Sequence, residues 1–169
     1  MNPRLSPPQP LASDHRTEDF NSGEPSLDDW LKRRALRNQA SGASRTYVVC
    51  ERQAVIAFYA LASGAIAQAP VPGRFRRNMP DPIPVVVLAR LAVDRNYHGR
   101  GLGRALFRDA ARRVAHAADS IGIRGIIVHA ISEEARKFYT ALGFDPCPGQ
   151  EMTLVTTLKD VLAALNRET

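Results

Sequence analysis

Val85-Val86-Val87-Leu88-Ala89-Arg90-Leu91-Ala92-Val93 is followed, four residues later, by His98-Gly99-Arg100-Gly101-Leu102-Gly103-Arg104. The first stretch is apolar and β-branched with a single charge, the pattern of a strand covered on both faces. The second places glycine at every other position. Helical spacing then takes over, with Leu102, Leu106, Ala110 and Val114 on one side to about residue 118. Strand, glycine turn and helix in this order form an anion site. Glycines adopt positive φ and let a ligand approach the backbone, and the opening N–H groups of a helix, with its dipole, attract phosphate. Arg100 and Arg104 add positive charge beside them. A turn that only reverses the chain gives the same pattern. Two other phosphate motifs fit worse. A dinucleotide fingerprint needs a third glycine where Arg104 or Leu106 stands, and a P-loop needs a closing Gly-Lys-Ser/Thr that is absent.

Working outward, the N-terminal side predicts a proline-bearing flexible tail over residues 1–12, with Pro3, Pro7, Pro8 and Pro10, ahead of one domain over 13–169. Ser26 with Asp29 predicts a capped helix start. Leu27, Trp30, Leu31 and Ala35 form its apolar side, Lys32, Arg33, Arg34 and Arg37 its basic side, and Gly42 its stop. Strands are expected over 46–50 and 54–62 around a turn at Glu51-Arg52-Gln53. Residues 69–84 hold five prolines with Arg74, Arg76 and Arg77, which predicts a basic loop. Beyond the central helix come a strand over 125–129, a helix capped by Ser132 and ended by Gly143, a strand over 152–158 and a terminal helix over 159–167. The alternation argues for an α/β class built as layered α+β, with a mixed central sheet and flanking helices.

Composition bounds the function. The chain has 169 residues, 44% apolar and 24% charged, enough for one domain with a core. The formal net charge is +6, carried by twenty arginines against Lys32, Lys137 and Lys159. A guanidinium fork suits phosphate oxygens, although a merely soluble basic surface has the same composition. Cys50 and Cys147 stand far apart, and no Cys/His cluster suggests a metal. No apolar stretch follows Met1-Asn2-Pro3-Arg4, and no run approaches a membrane span, so a cytoplasmic protein is expected.

The turn His98-Gly99-Arg100-Gly101-Leu102-Gly103 resembles the Gln/Arg-x-x-Gly-x-Gly/Ala pyrophosphate loop of the GNAT acetyltransferases, with His98 where Gln or Arg is usual. Leu91-Ala92-Val93 resembles the splayed strand of that family. Ala135-Arg136-Lys137-Phe138-Tyr139-Thr140-Ala141-Leu142-Gly143-Phe144 resembles its last motif, A-x-x-F-Y-x-x-x-G-F. These blocks span residues 85–144. Phe20-Asn21-Ser22-Gly23, Leu27-Asp28-Asp29-Trp30-Leu31 with Ala35, and Ser44-Arg45-Thr46-Tyr47-Val48 extend the resemblance, more loosely, to GNAT toxins of type II toxin–antitoxin systems.

The resemblance implies acetyl-CoA as donor and a splayed strand pair. It implies cofactor contacts from Leu91, Ala92, Val93, His98, Gly99, Arg100, Gly101, Leu102, Gly103, Arg104, Ser132 and Phe138. The backbone of Leu91 and Val93 would pair with pantetheine, the Val93 N–H would meet the oxyanion, and Tyr139 would be the general acid toward the CoA sulfur. On sequence alone Tyr139 is first a core residue of an amphipathic helix, and Ser132 is first a helix cap. The toxins acetylate the α-amino group of aminoacyl-tRNA. An α-amino pKa of about 8, lowered by an adjacent ester, leaves that amine largely neutral, which suits a chain with no evident carboxylate base. Lys32, Arg33, Arg37, Arg74, Arg76 and Arg77 would then contact tRNA phosphates, where the plain alternative is solvated surface. Arg90 either reaches the cleft or pairs with an acid. The resemblance also implies a ribbon-helix-helix antitoxin partner and a homodimer. Two other readings stand beside this one: a GNAT enzyme acting on a small amine or a protein N-terminus, and a non-catalytic acetyl-CoA-binding or antitoxin-partner module.

Overall fold

A computed structural model describes residues 4–167. Its strands are β1 (Gln9–Pro10), β2 (Arg45–Glu51), β3 (Ala54–Ile66), β4 (Ile83–Val93), β5 (Gly125–His129), β6 (Asp145–Cys147) and β7 (Gln150–Thr157). Its helices are α1 (Pro25–Arg33), α2 (Ala35–Ser41), α3 (Gly73–Arg76), α4 (Leu102–Ala117), α5 (Glu133–Ala141) and α6 (Leu158–Arg167). The strands form one mixed seven-stranded sheet in the order β1-β2-β3-β4-β5-β7-β6. Two compact units share the chain, one of Met1–Ala62 with Ala89–Ala110 and the other of Ser63–Leu88 with Ala111–Thr169.

In the first unit β2 and β3 form an antiparallel hairpin, Arg45 opposite Leu61 and Glu51 opposite Ala54. The turn sets Arg52 and Gln53 at φ 51° and 70°, the left-handed pair a two-residue hairpin needs. Under it lies a core of Leu11, Phe20, Leu27, Leu31, Ala35, Val48, Cys50, Val55, Phe58 and Ala92, with Trp30 packed against it. The expected single helix is broken at Arg34 (φ −122°) and resumes as α2, which Gly42 ends at φ 84°. Its start also differs from the sequence reading. Glu24 is the N-cap and Pro25 opens the helix, while Ser26 caps nothing. The buried Asp28 carboxylate instead accepts from the Ser22 N–H (3.0 Å) and hydroxyl (2.6 Å), and the Ser22 Oγ accepts from the Glu24 N–H at 3.2 Å.

The flexible tail expected over residues 1–12 is corrected by the packing of residues 5–11; residues 1–3 lie outside the described range. Leu5 and Leu11 are buried, Gln9 and Pro10 pair with Val48 and Tyr47, and the Leu11 N–H donates to the Thr46 carbonyl at 2.9 Å. The prolines are tolerated because this is an edge strand, where a missing N–H costs no ladder bond.

In the second unit β4 and β5 run parallel, paired at Val85–Val87 with Gly125–Ile127. β5 and β6 each lie antiparallel to β7. Val71, Phe75, Ile83, Val85, Ile127, Cys147 and Val155 form its core. The expected proline loop contains α3, whose Phe75 is buried. The Arg124 guanidinium secures it by donating to the Phe75 and Arg74 carbonyls, both at 2.8 Å. Among the described residues no helix is long and apolar enough to cross a membrane.

Candidate active site

Within the first unit, the approach to the glycine turn begins where β4 ends. The Asp94 N–H donates to the Ile56 carbonyl of β3 at 2.8 Å, so by alternation the N–H of Val93 points to the opposite edge. On that edge the ladder with β5 holds at Val85–Val87, and β4 runs on to Val93. Leu91 is half-buried, and Ala92 and Val93 are buried. Asp94 is buried and accepts twice, from the Asn96 N–H and the Asn21 N–H, each at 3.0 Å. It caps a 3-10 turn at Arg95–Tyr97 and ties this turn to the 20–23 loop, where the Arg95 N–H also donates to the Asn21 carbonyl at 2.8 Å.

The glycine turn follows. Gly99 and Gly101 have φ 76° and 78°, and open space surrounds the position of a Cβ on either. Glycine is therefore required there for its left-handed backbone, not for room. The first bond from helix to turn runs from the Ala105 N–H to the Gly101 carbonyl at 3.1 Å. The N–H groups of Leu102, Gly103 and Arg104 thus open α4 without intrahelical acceptors. Arg100 and Arg104 are exposed beside them. The Arg100 guanidinium lies 4.9 Å from the centre of the Tyr97 ring and donates to the Asn96 carbonyl at 3.2 Å. Tyr97 donates in turn to Glu51, a bond that raises the phenol's pKa above its usual range, with burial adding to it. His98 has its Nε2 2.6 Å from the Val93 carbonyl. The carbonyl accepts only, so this nitrogen carries the hydrogen, and the ring joins the turn to the strand end.

Within the second unit, Tyr139 sits on α5, buried, edge-on to Phe138 at 5.2 Å and to Phe144 at 5.4 Å between ring centroids. Burial pushes its pKa far above that of an ordinary phenol, so it stays protonated at any working pH. Ser132 caps α5, its Oγ accepting from the Ala135 N–H at 3.0 Å. Phe138 is half-buried.

Of the basic residues, Lys32 and Arg33 lie exposed in the last turn of α1 and Arg37 on α2. Arg76 and Arg77 are exposed around the end of α3, whereas Arg74 is paired with Asp160 of α6. Sequence reading missed Asp94, Tyr97 and Glu51. An aspartate just before a turn is a local capping signal, but Glu51 meets Tyr97 only through the fold. Among the described residues Arg90 pairs with no acid. It lies over the Trp30 ring, 5.1 Å from its centre. Among the described residues no group of three or more His, Cys, Asp or Glu is arranged to hold a metal ion.

The family model for the acetyltransferase (GNAT) domain matches residues 42–146. A protein named tRNA-acetylating toxin, from Mycobacterium tuberculosis (strain ATCC 25618 / H37Rv), is 51% identical over 160 residues, which is 95% of this chain and 96% of that protein. The solved structure of AtaT complexed with acetyl-methionyl-tRNAfMet superposes with a TM-score of 0.87 at 30% identity, covering 94% of this chain and 98% of that one. An AtaT variant bound to the C-terminus of the antitoxin AtaR and acetyl-CoA superposes with a TM-score of 0.81 at 30% identity, covering 94% and 96%. A positive-φ glycine turn opening a helix, a family match across 42–146 and a half-identical relative along almost the whole chain agree: the chain belongs to the GNAT acetyltransferases.

Proposed function

We propose that this enzyme transfers acetyl from acetyl-CoA to the α-amino group of aminoacyl-tRNA and so blocks translation. The observation that carries the choice of acceptor is the near-full-length likeness to the mycobacterial tRNA-acetylating toxin. The donor site is supported by the turn itself. Open space at Gly99 and Gly101, three helix-opening N–H groups, and the exposed Arg100 and Arg104 suit a pyrophosphate. Leu102 and Gly103 contribute backbone to the same cradle; Ser132 and Phe138 of α5 are cofactor contacts on the family resemblance alone. Acetyl-CoA bound there supplies an acetyl group activated as a thioester.

The chain's own groups take the roles that the family resemblance implies, and their placement supports them. The edge backbone of Leu91 and Val93, with Ala92 between them, aligns the donor. The Val93 N–H, aimed away from β3, donates to the oxygen on which negative charge develops. His98 holds the carbonyl of the same residue and so fixes the orientation of that peptide. Tyr139, kept protonated by burial, releases its proton to the departing sulfur. Lys32, Arg33, Arg37, Arg76 and Arg77 attract the tRNA backbone, Arg74 less so because Asp160 already neutralises it. The enzyme works in the cytoplasm, where charged tRNA is found. Its partner is a small ribbon-helix-helix antitoxin, and the active form is a homodimer, which light scattering at working concentration checks.

The deciding experiment is transfer of labelled acetyl from acetyl-CoA to charged tRNA, with deacylated tRNA and free amino acids as controls. Label on charged tRNA alone is expected. Label on free amines or protein N-termini instead, with charged tRNA untouched, would overturn the reading.

A further inference from the structure

We infer that Arg90, stacked over Trp30, is an anion subsite that takes a phosphodiester oxygen of the RNA acceptor strand. The inference rests on the aminoacyl-tRNA reading above and adds a contact residue to it. Arg90 stands on β4 immediately before Leu91–Val93. At about 3.3 Å per strand residue it lies about 10 Å upstream of Val93, while the glycine turn lies downstream. The donor's aligned segment therefore separates Arg90 from the pyrophosphate cradle, which places it on the acceptor side of the reacting bond.

Its surroundings leave it incompletely satisfied. The guanidinium is half-buried and carries five N–H donors. Among the described residues it makes one hydrogen bond, from Nη1 to the Ala89 carbonyl at 2.8 Å, and one ring contact, with Trp30. No carboxylate faces it, and burial alone lowers its pKa. A half-buried cation without a counter-ion is costly, and the cost is offset when an anion arrives. The platform beneath is rigid, since Trp30 is stacked on Phe58 at 6.0 Å and 11° and packs against the core. Trp30 belongs to α1, whose last turn exposes Lys32 and Arg33. Arg33, three residues on from Trp30, shares its side of the helix, whereas Lys32, two residues on, lies round the far side; one exposed cation therefore stands on the same helix face as the platform. A polyanion fits this layout better than a single small carboxylate, which would leave Arg33 without a role.

The test compares two acceptors in the full-length enzyme, charged tRNA and the same amino acid esterified to adenosine without a 5′-phosphate. In Arg90→Gln, kcat/KM for charged tRNA should fall about 30-fold more than for the aminoacyl-adenosine, the scale of one lost charge-assisted hydrogen bond. The loss should appear mainly in KM, and the slope of log KM against log salt should flatten by about 0.7, one single-strand phosphate contact. Arg90→Lys should restore the slope but only part of KM, because an ammonium lacks the fork. Acetyl-CoA affinity and melting temperature report folding, and if Arg90→Gln does not fold, the Arg90→Lys comparison decides. Equal losses on both acceptors, or an unchanged slope, would show that Arg90 serves only the fold and would overturn the inference. Failure of the wild-type enzyme to label charged tRNA removes the aminoacyl-tRNA reading itself, an outcome visible before any variant is made.

Discussion

The proton-donor role proposed for Tyr139 has a distinct expected signature. Replacing Tyr139 by Phe removes one oxygen from a ring held by Phe138 and Phe144, so packing persists while the proton donor is lost. A kcat decrease of about 100-fold or more is expected, with acetyl-CoA affinity by calorimetry within about threefold of wild type; an unchanged kcat would remove Tyr139 from the chemistry. Because its pKa is raised, Tyr139 contributes no loss of rate between pH 7 and 9, and any rise there belongs to the acceptor amine. His98 shows where residue-level reading fell short. Its position in the turn is plain from the sequence, but its hydrogen bond to Val93 depends on a backbone shape that only the glycines together create.

At the level of elements, two glycines are required for different reasons and should fail differently. Ala at position 101 meets no neighbouring atom but must hold φ 78°, at a cost of about 1 kcal/mol. Gly101→Ala should therefore weaken acetyl-CoA binding several-fold, measured by calorimetry, with little change in melting temperature. Gly125 lies at the end of the β5–β7 ladder opposite Thr157, and a Cβ there would stand 2.0 Å from the Thr156 carbonyl oxygen. Gly125→Ala should lower stability by about 3 kcal/mol or more in urea titration, because backbone cannot yield as a side chain does. The same distinction explains which elements were legible. The β4–turn–α4 unit announces itself locally, through a β-branched run, alternating glycines and helical spacing. The start of α1 was misplaced because Pro25 opens the helix one residue ahead of Ser26, and the Ser22 that binds the Asp28 carboxylate is a loop residue whose position no periodicity reports. β6 and the 3-10 turn are three residues each, too short to show a period.

Over the whole chain, long-range partners decide what local pattern cannot. The N-terminal segment read as flexible because prolines dominate it, yet Leu5 and Leu11 are buried by a hairpin forty residues away in sequence. Arg74 read as a free phosphate contact until α6 supplied Asp160. Cys50 gives stability a pH dependence. Burial first, then the charge of Asp14, raise its thiol from 9.0 to about 11 against the pull of Arg16. The folded pKa is the higher one, so this contribution is fully present below pH 9 and is lost as pH rises toward 11. Chemical denaturation followed from pH 7 to 11 should show a decline beginning near pH 9, which Cys50→Ala reduces; Cys147, also raised by burial, adds to it from pH 9, and Tyr97 and Tyr139 add to it only above pH 10. The two ends of the sheet have a consequence of another kind. β1 is two residues long and includes Pro10, while β6 is three residues long and includes Pro146. Neither border offers the run of free amide and carbonyl groups on which a foreign strand templates itself. The protein can therefore accumulate in crowded solution without seeding fibrils.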